Sequence, residues 1–376
     1  MAAPIAKGSG MKQIRDAIVI GSGIIGSAIA FALTRAGIRR VTLVEKGPLV
    51  SGMTRRNAGL VHPFQAHPLL CDLANASYDF YNQWAISFGG KSPFVETGAA
   101  VVSNFAAPER FAMWNAHANA SEIEPAALTA RYPNVTDQFR AVMFSPRAGY
   151  ADAVITAQAL VNTAKANGLE VQTGTQAKQI VVKQRHVQGV QTTTGELEAP
   201  MVVIAAGGWS ERLLAPLGIS LQLRFRRGIV EFYEQPPTIT HELPMLLDAN
   251  STFFFRPHPY HMSAAGRVSL ESQTQGIESL DEFVSASDST SVKQFVEACL
   301  AEFANVSTKR AHPILYDTPK DGLPALGRIA NIDGLYVAVG FGTSAFAVAP
   351  AVGETLAQLL VDGSAARDVS SFSPLR

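Results

Sequence analysis

A strand–glycine turn–helix–strand unit at the start, single buried strands far downstream, and β-type sequence between them predict an α/β chain. The architecture they imply is a discontinuous Rossmann-type domain interrupted by an inserted, mostly antiparallel β-sheet (α+β) domain. The opening unit is "AIVIGSGIIGSAIAFALTRAGIRRVTLVEK", residues 17–46.

Residues 17–20, "AIVI", form a short apolar run with β-branched side chains, suited to a buried parallel strand. "GSGIIG" follows at once, and "SAIAFALTRAG" then carries helical spacing (Ile29, Leu33) with a stop at Gly37. "VTLVE" is a second buried strand ending on Glu45. Gly21 permits the tight turn, Gly23 lets a diphosphate approach the backbone, and Gly26 lets helix and strand pack closely. The helix N-terminus then faces the phosphates. Glu45, 19 residues after Gly26, stands where a carboxylate accepts hydrogen bonds from ribose hydroxyls. The motif predicts a dinucleotide site without separating a flavin from a nicotinamide cofactor.

Three later segments return to the same domain. "SGMTRRNAGLVHP" (51–63) reads as a loop of small and polar residues. Residues 157–210 read as a helix at about 156–167, a short strand "EVQTG", a polar β meander and the apolar strand "MVVIAAGG". "DGLYVAVGFGTSAFAVAPAVGETLAQLLVDG" (333–363) predicts a strand, a small-residue loop and a helix opening near Pro350. The first domain is thus assembled from residues 11–80, 150–218 and 320–376. The second takes 81–149 and 219–319, where "LQLRFRRGIVEFYEQ" and "STFFFRPHPYHMSAAGRVSLES" have strand character and "SVKQFVEACLAEF" is helical.

Composition narrows the function. With 47% apolar side chains, the 376 residues can bury a large core. Lys+Arg and Asp+Glu are both 31, a balance that argues against DNA binding or a general anionic partner. The two cysteines, Cys71 and Cys299, are too few for a disulfide framework or a cysteine metal site. "MAAPIAKGSGM" reads as a leader or linker before a second start at Met11. No stretch is expected to supply the roughly 20 apolar residues of a membrane span. A cytoplasmic protein without a metal is the expectation.

The ordered set GSGIIG with Glu45, "RRNAGLV", "VVIAAGGWS", "FFFRP", "TPKDGLPALG" and "GFGTSAFAVAPAVGE" resembles the D-amino acid oxidase superfamily of FAD-dependent oxidoreductases, in its glycine oxidase and sarcosine oxidase branch. The resemblance implies FAD, with a substrate cavity beside the isoalloxazine and under the β domain. By it, Gly21, Ser22, Gly23, Ile25 and Gly26 cradle the pyrophosphate, and Glu45 and Lys46 flank the ribose. Thr54, Arg55, Arg56, Asn57, Ala58, Gly59 and Leu60 run along the ribityl chain and ring. Ala177 meets adenine, and Ala206, Gly207 and Trp209 close that side. Gly340, Gly342, Thr343, Ser344, Ala345 and Phe346 form the loop at the flavin pyrimidine edge, where a helix N-terminus stabilises the charge of reduced flavin. The position of the linking cysteine of sarcosine oxidases is Pro313, so FAD is expected to be noncovalent.

Two departures bear on the substrate. The arginine that grips the carboxylate in glycine oxidases is replaced by Leu315, and the corresponding lysine of sarcosine oxidases by Ala347. An aliphatic side chain cannot replace a guanidinium–carboxylate pair. Arg256, Tyr316 and His62 are the substrate-orienting candidates, with Arg56, Arg227 and His67 behind them; His258 and His261 are expected on a hairpin surface. The resemblance implies oxidation of a small-molecule amine or amino acid to an imine, which hydrolyses to an oxo acid, with dioxygen or a quinone as electron acceptor. A carboxymethylaminomethyl group on tRNA, a 2-hydroxy acid, and a non-catalytic flavin-binding role are the alternatives.

Overall fold

The computed structural model describes residues 16–38, 40–89, 92–105, 108–250, 252–269, 277 and 282–376. The leader-like segment before Asp16 and Met11 lie outside them. Strand β1 (Ala17–Ile20) enters helix α1 (Ile24–Arg35) through the glycine turn, and β2 (Val41–Val44) follows. Helix α2 (Pro68–Asn82) starts with Pro68 in its first turn and His67 as N-cap, its Nδ1 accepting from the Leu69 N–H. The chain then crosses to another sheet with strands 99–103, 121–123 and 141–145, and returns through α3 (Ala153–Ala166), β3 (Glu170–Gln172), a three-stranded meander over 177–198, and β4 (Met201–Ile204). Next come β5 (Leu223–Glu234), β6 (Phe253–His258), β7 (Met262–Val268), α4 (Ala286–Cys299) and β8 (Thr308–Pro319). The last pass supplies β9 (Ala325–Arg328), β10 (Leu335–Val339) and α5 (Ala345–Asp362).

Two sheets dominate. One has the order β9-β10-β4-β1-β2-β3, parallel except for the β9 edge. All four residues of β1 and of β2 are buried, as a strand covered on both faces requires. The second has eight strands in the order β8-β5-β7-β6, then 245–248, 99–103, 141–145 and 121–123. It is antiparallel apart from the parallel pair 245–248 with 99–103. A short strand at Gly149–Ala151 pairs antiparallel with both 60–61 and 94–96.

The final helix corrects the sequence reading. It begins at Ala345, and Pro350 lies inside it. Proline offers no N–H to the carbonyl four residues earlier, that of Phe346. The Tyr81 hydroxyl on α2 donates to this carbonyl at 2.8 Å, and its ring stacks on Phe346 at 5.6 Å and 17°. Tertiary structure thus replaces the bond that proline removes. Tyr81→Phe keeps the ring and orphans the carbonyl; stability is expected to fall by about 1–3 kcal/mol in urea unfolding. Among the described residues one helix, Gly342–Asp362, is long and apolar enough to cross a membrane by length and composition alone. Here it is a core helix packed on α1 and α2. A Cβ on Gly353 would stand 2.6 Å from the Ala28 carbonyl oxygen, so this glycine sets how closely α5 lies on α1.

Candidate functional site

A cavity of about 660 Å³ runs along the carboxyl ends of β1, β4 and β10 and reaches β8 of the other sheet. In open α/β sheets this is where ligands bind. At one end stands the glycine turn. Gly21 has φ +104°, and a Cβ there would lie 2.6 Å from the Ala205 carbonyl oxygen. A Cβ on Gly26 would come within 1.9 Å of the Gly21 carbonyl oxygen. Gly23, with Ile25, lines the cavity, and Thr54 stands in front of it, its Oγ1 accepting from the Ile24 N–H at 2.9 Å. A hydroxyl thus holds an orphan N–H of the α1 first turn.

Glu45 is fixed from both sides. Its Oε2 accepts from the Ser22 N–H and from Ser22 Oγ, each at 2.9 Å, and its Oε1 accepts from the Gly47 N–H at 3.0 Å. Ser22 is fully buried and positions the carboxylate from behind. Beyond it, Lys46 Nζ sits 3.7 Å over the Trp209 ring, and Ala177, Ala206 and Gly207 complete that wall.

The other end is formed by Met53, Arg56, Asn57, Ile314, Leu315 and Tyr316, with Gly340, Gly342 and Ala345 at the start of α5. Leu315 and Tyr316 are buried wall residues, and burial pushes the Tyr316 hydroxyl well above the ordinary tyrosine range. Ala347 lies in the α5 core, away from the cavity. Arg56 makes a two-pronged ion pair with Glu282, at 2.6 and 2.8 Å, and donates to the Pro313 carbonyl at 3.2 Å.

Several expected site residues stand elsewhere. Arg55 is exposed to solvent. Ala58, Gly59 and Leu60 act through their backbone: Leu60 pairs with Tyr150, and a Cβ on Gly59 would meet the Ala151 carbonyl oxygen at 1.9 Å. Thr343 and Ser344 are off the cavity wall, and Phe346 points into the core. Arg256 is 4% exposed: its Nε donates to the Ala58 carbonyl at 2.7 Å, its Nη1 to the Pro257 carbonyl at 2.9 Å, and its guanidinium lies 4.3 Å from the Tyr150 ring. Burial lowers its pKa to about 10. It ties β6 to the loop before 60–61. His258, expected on a surface, is a half-buried partner of Arg256, its Nδ1 2.9 Å from Nη1. His261 is exposed on the hairpin turn. Burial and then Arg256 push His258 down to about 4, leaving its ring nitrogen free to accept.

His62 lies off the cavity, stacked on Phe64, with burial pushing its pKa to about 4. Arg227 pairs with Asp288 at 3.3 Å and donates to the Phe283 carbonyl, tying β5 to the α4 region. Cys71 and Cys299 are buried free thiols. Among the described residues, no cluster of His, Cys, Asp or Glu could hold a metal ion. Among the cavity groups that escaped the sequence reading is Asp317, the lone acid of "ILYDTP". Its signal was a charge next to three buried apolar positions on a strand.

Comparison with known proteins decides the class. A family profile described as FAD dependent oxidoreductase matches residues 16–359. The chain belongs to the FAD-dependent oxidoreductase (DAO) family. A glycine oxidase of Pseudomonas aeruginosa is 25% identical, with 95% of this chain and 98% of that protein covered. Monomeric sarcosine oxidase of Arthrobacter sp. is 24% identical, with 96% of each covered. Rat mitochondrial dimethylglycine dehydrogenase is 24% identical over 97% of this chain, which spans only 45% of that longer protein. Among solved structures, L-proline dehydrogenase from P. horikoshii superposes with a TM-score of 0.88 at 21% identity, covering 97% and 98% of the two chains. The family is FAD-dependent, and the cradle fits that cofactor: Gly21 and Gly26 leave no room for a Cβ, and Glu45 is preset.

Proposed function

We propose that the protein oxidises the C–N bond of an amino acid or N-substituted amino acid, giving an imine that hydrolyses to an oxo acid. The observation that carries this reading is the continuity of one cavity from the Gly21–Glu45 cradle to the Leu315–Tyr316 wall. The names of the glycine and sarcosine oxidase relatives support it. FAD, when bound, accepts the hydride. Gly21, Gly23, Ile25, Glu45, Lys46, Thr54 and Ala177 hold its dinucleotide part, with Ser22 and Gly26 behind them. Ala206, Gly207, Trp209, Gly340, Gly342 and Ala345 enclose the remainder, with Thr54, Arg56 and Asn57 on the opposite wall. In this scheme residues 11–80, 150–218 and 320–376 form the cofactor domain, and 81–149 with 219–319 form the substrate domain.

The chain's own contribution is orientation and exclusion of water. An amine is oxidised in its neutral form, and the buried Ile314–Leu315 wall favours that form by desolvation. The first turn of α5 and the Gly342 backbone give the cavity a positive edge that favours negative charge during turnover. Tyr316 supplies a hydroxyl beside the apolar wall.

Anaerobic mixing of the yellow protein with amino acids, N-methyl amino acids and 2-hydroxy acids tests this. Bleaching of the visible flavin band by an amino or N-methyl acid is the expected result. Bleaching by 2-hydroxy acids alone would replace the amine reading. No bleaching by any small donor would move the substrate to a larger scaffold such as modified tRNA, which the aliphatic Leu315 wall also accommodates. Re-oxidation by air or only by a quinone then names the acceptor.

A further inference from the structure

Asp317 reaches the cavity from β8, the edge strand of the eight-stranded sheet, and inserts between two turns of the parallel sheet. Its Oδ2 accepts from the Gly340 N–H at 3.1 Å. Its Oδ1 lies 3.9 Å from where a Cβ on Gly207 would stand. Gly340 has φ +78°, and a Cβ there would meet Pro319 Cδ at 2.4 Å, so the turn can accept β8 only with glycine. One carboxylate oxygen is thereby fixed and the other faces the space between the turns.

Among the described residues, no cation is paired with this carboxyl. Its register partner on β5 is Phe225, flanked by Arg224 and Arg226. The 206–209 and 340–342 turns bring no charged side chain except through Lys46 over Trp209. Glu45, Arg56, Lys178, Arg212 and Glu282 are the other charged groups along the cavity, with Lys46. Burial raises its pKa, opposed by backbone N–H groups of its own residue and of Gly340. A bound dinucleotide adds the negative charge of its diphosphate and removes the water that solvates a carboxylate.

We infer that Asp317 is a cofactor-positioning residue that takes up one proton when FAD binds and donates a hydrogen bond through Oδ1 to the cofactor's polyol or ring. The inference rests on FAD occupying this cavity. The carboxylate, a proton and free FAD are converted to the acid–FAD complex, with no electrons transferred. Because binding consumes a proton, affinity falls as pH rises above the carboxyl's pKa in the free protein, at up to about tenfold per pH unit.

The test is the FAD dissociation constant of the apoprotein, read by quenching of flavin fluorescence from about pH 5 to about pH 8.5. Wild type is expected to bind progressively more weakly toward high pH. D317N keeps an acceptor for the Gly340 N–H and a permanent donor, and is expected to bind as wild type does at low pH, without that decline. D317A is expected to bind about tenfold more weakly at low pH. An unchanged pH profile in D317N, or undiminished affinity in D317A, would overturn the inference. Failure of wild type to bind FAD at all would instead remove the reading on which it rests.

Discussion

Gly26→Ala is expected to yield a protein that retains no FAD and melts well below wild type. The added methyl would sit 1.9 Å from the Gly21 carbonyl oxygen and 3.4 Å from Ala205 Cβ. The obstruction is backbone against backbone, so no rotamer relieves it. Either α1 lifts off β1 or the turn opens, and both disturb the N-terminus of α1. Overpacking of this kind costs about 3 kcal/mol or more when the backbone itself must move. Gly23→Ala is the control, because its Cβ meets only Thr54 Oγ1 at 3.2 Å. That variant should stay folded and bind FAD more weakly. Flavin content after desalting and the thermal midpoint are the readouts; wild-type values for Gly26→Ala would refute the placement.

Arg256→Met should destabilise the protein by about 3 kcal/mol and leave KM nearly unchanged. Methionine keeps the apolar stem but leaves the Ala58 and Pro257 carbonyls without their donor. A substrate clamp would behave in the opposite way, with KM raised and stability intact. The pH dependence adds a second readout. In the fold His258 is held neutral, with its pKa lowered to about 4. A lowered histidine contributes its stability in full above its ordinary pKa of about 6.5 and loses it as pH falls toward the folded value. Removing Arg256 removes part of what depresses His258, so the acid sensitivity of the variant should shrink. Urea unfolding at neutral and mildly acidic pH separates the two contributions.

The parallel sheet was legible because its signals are local. An apolar four-residue strand, a glycine turn and an acid at the right spacing follow one another in "AIVIGSGIIG…VTLVE", and the structure realises them in order. The mostly antiparallel second sheet was legible for a similar reason. What stayed hidden depends on partners distant in sequence. Pro350 reads as a helix start until Tyr81, 265 residues from Phe346, supplies the missing donor. Arg256 is ambiguous in "FFFRP" until the Ala58 carbonyl, 198 residues away, is found against it. His62 follows a loop expected at the cofactor, yet its ring turns onto Phe64. Asp317 is silent in "ILYDTP" until the Gly340 N–H, 23 residues away, is found against it.

The strand order of the parallel sheet has a consequence for how the chain is made. β1 leaves the ribosome early, but its neighbour β4 pairs in turn with β10, at Leu335–Val339. Until that last pass emerges, β4 has an open edge, and α1 lacks the helix α5 that covers it. Vectorial synthesis therefore cannot complete the nucleotide half before the rest, and folding waits on contacts of long sequence separation. A chain arrested before residue 335 would expose a hydrophobic strand edge of the kind that aggregates. Synthesis of this protein is thus most vulnerable until β10 and α5 have emerged.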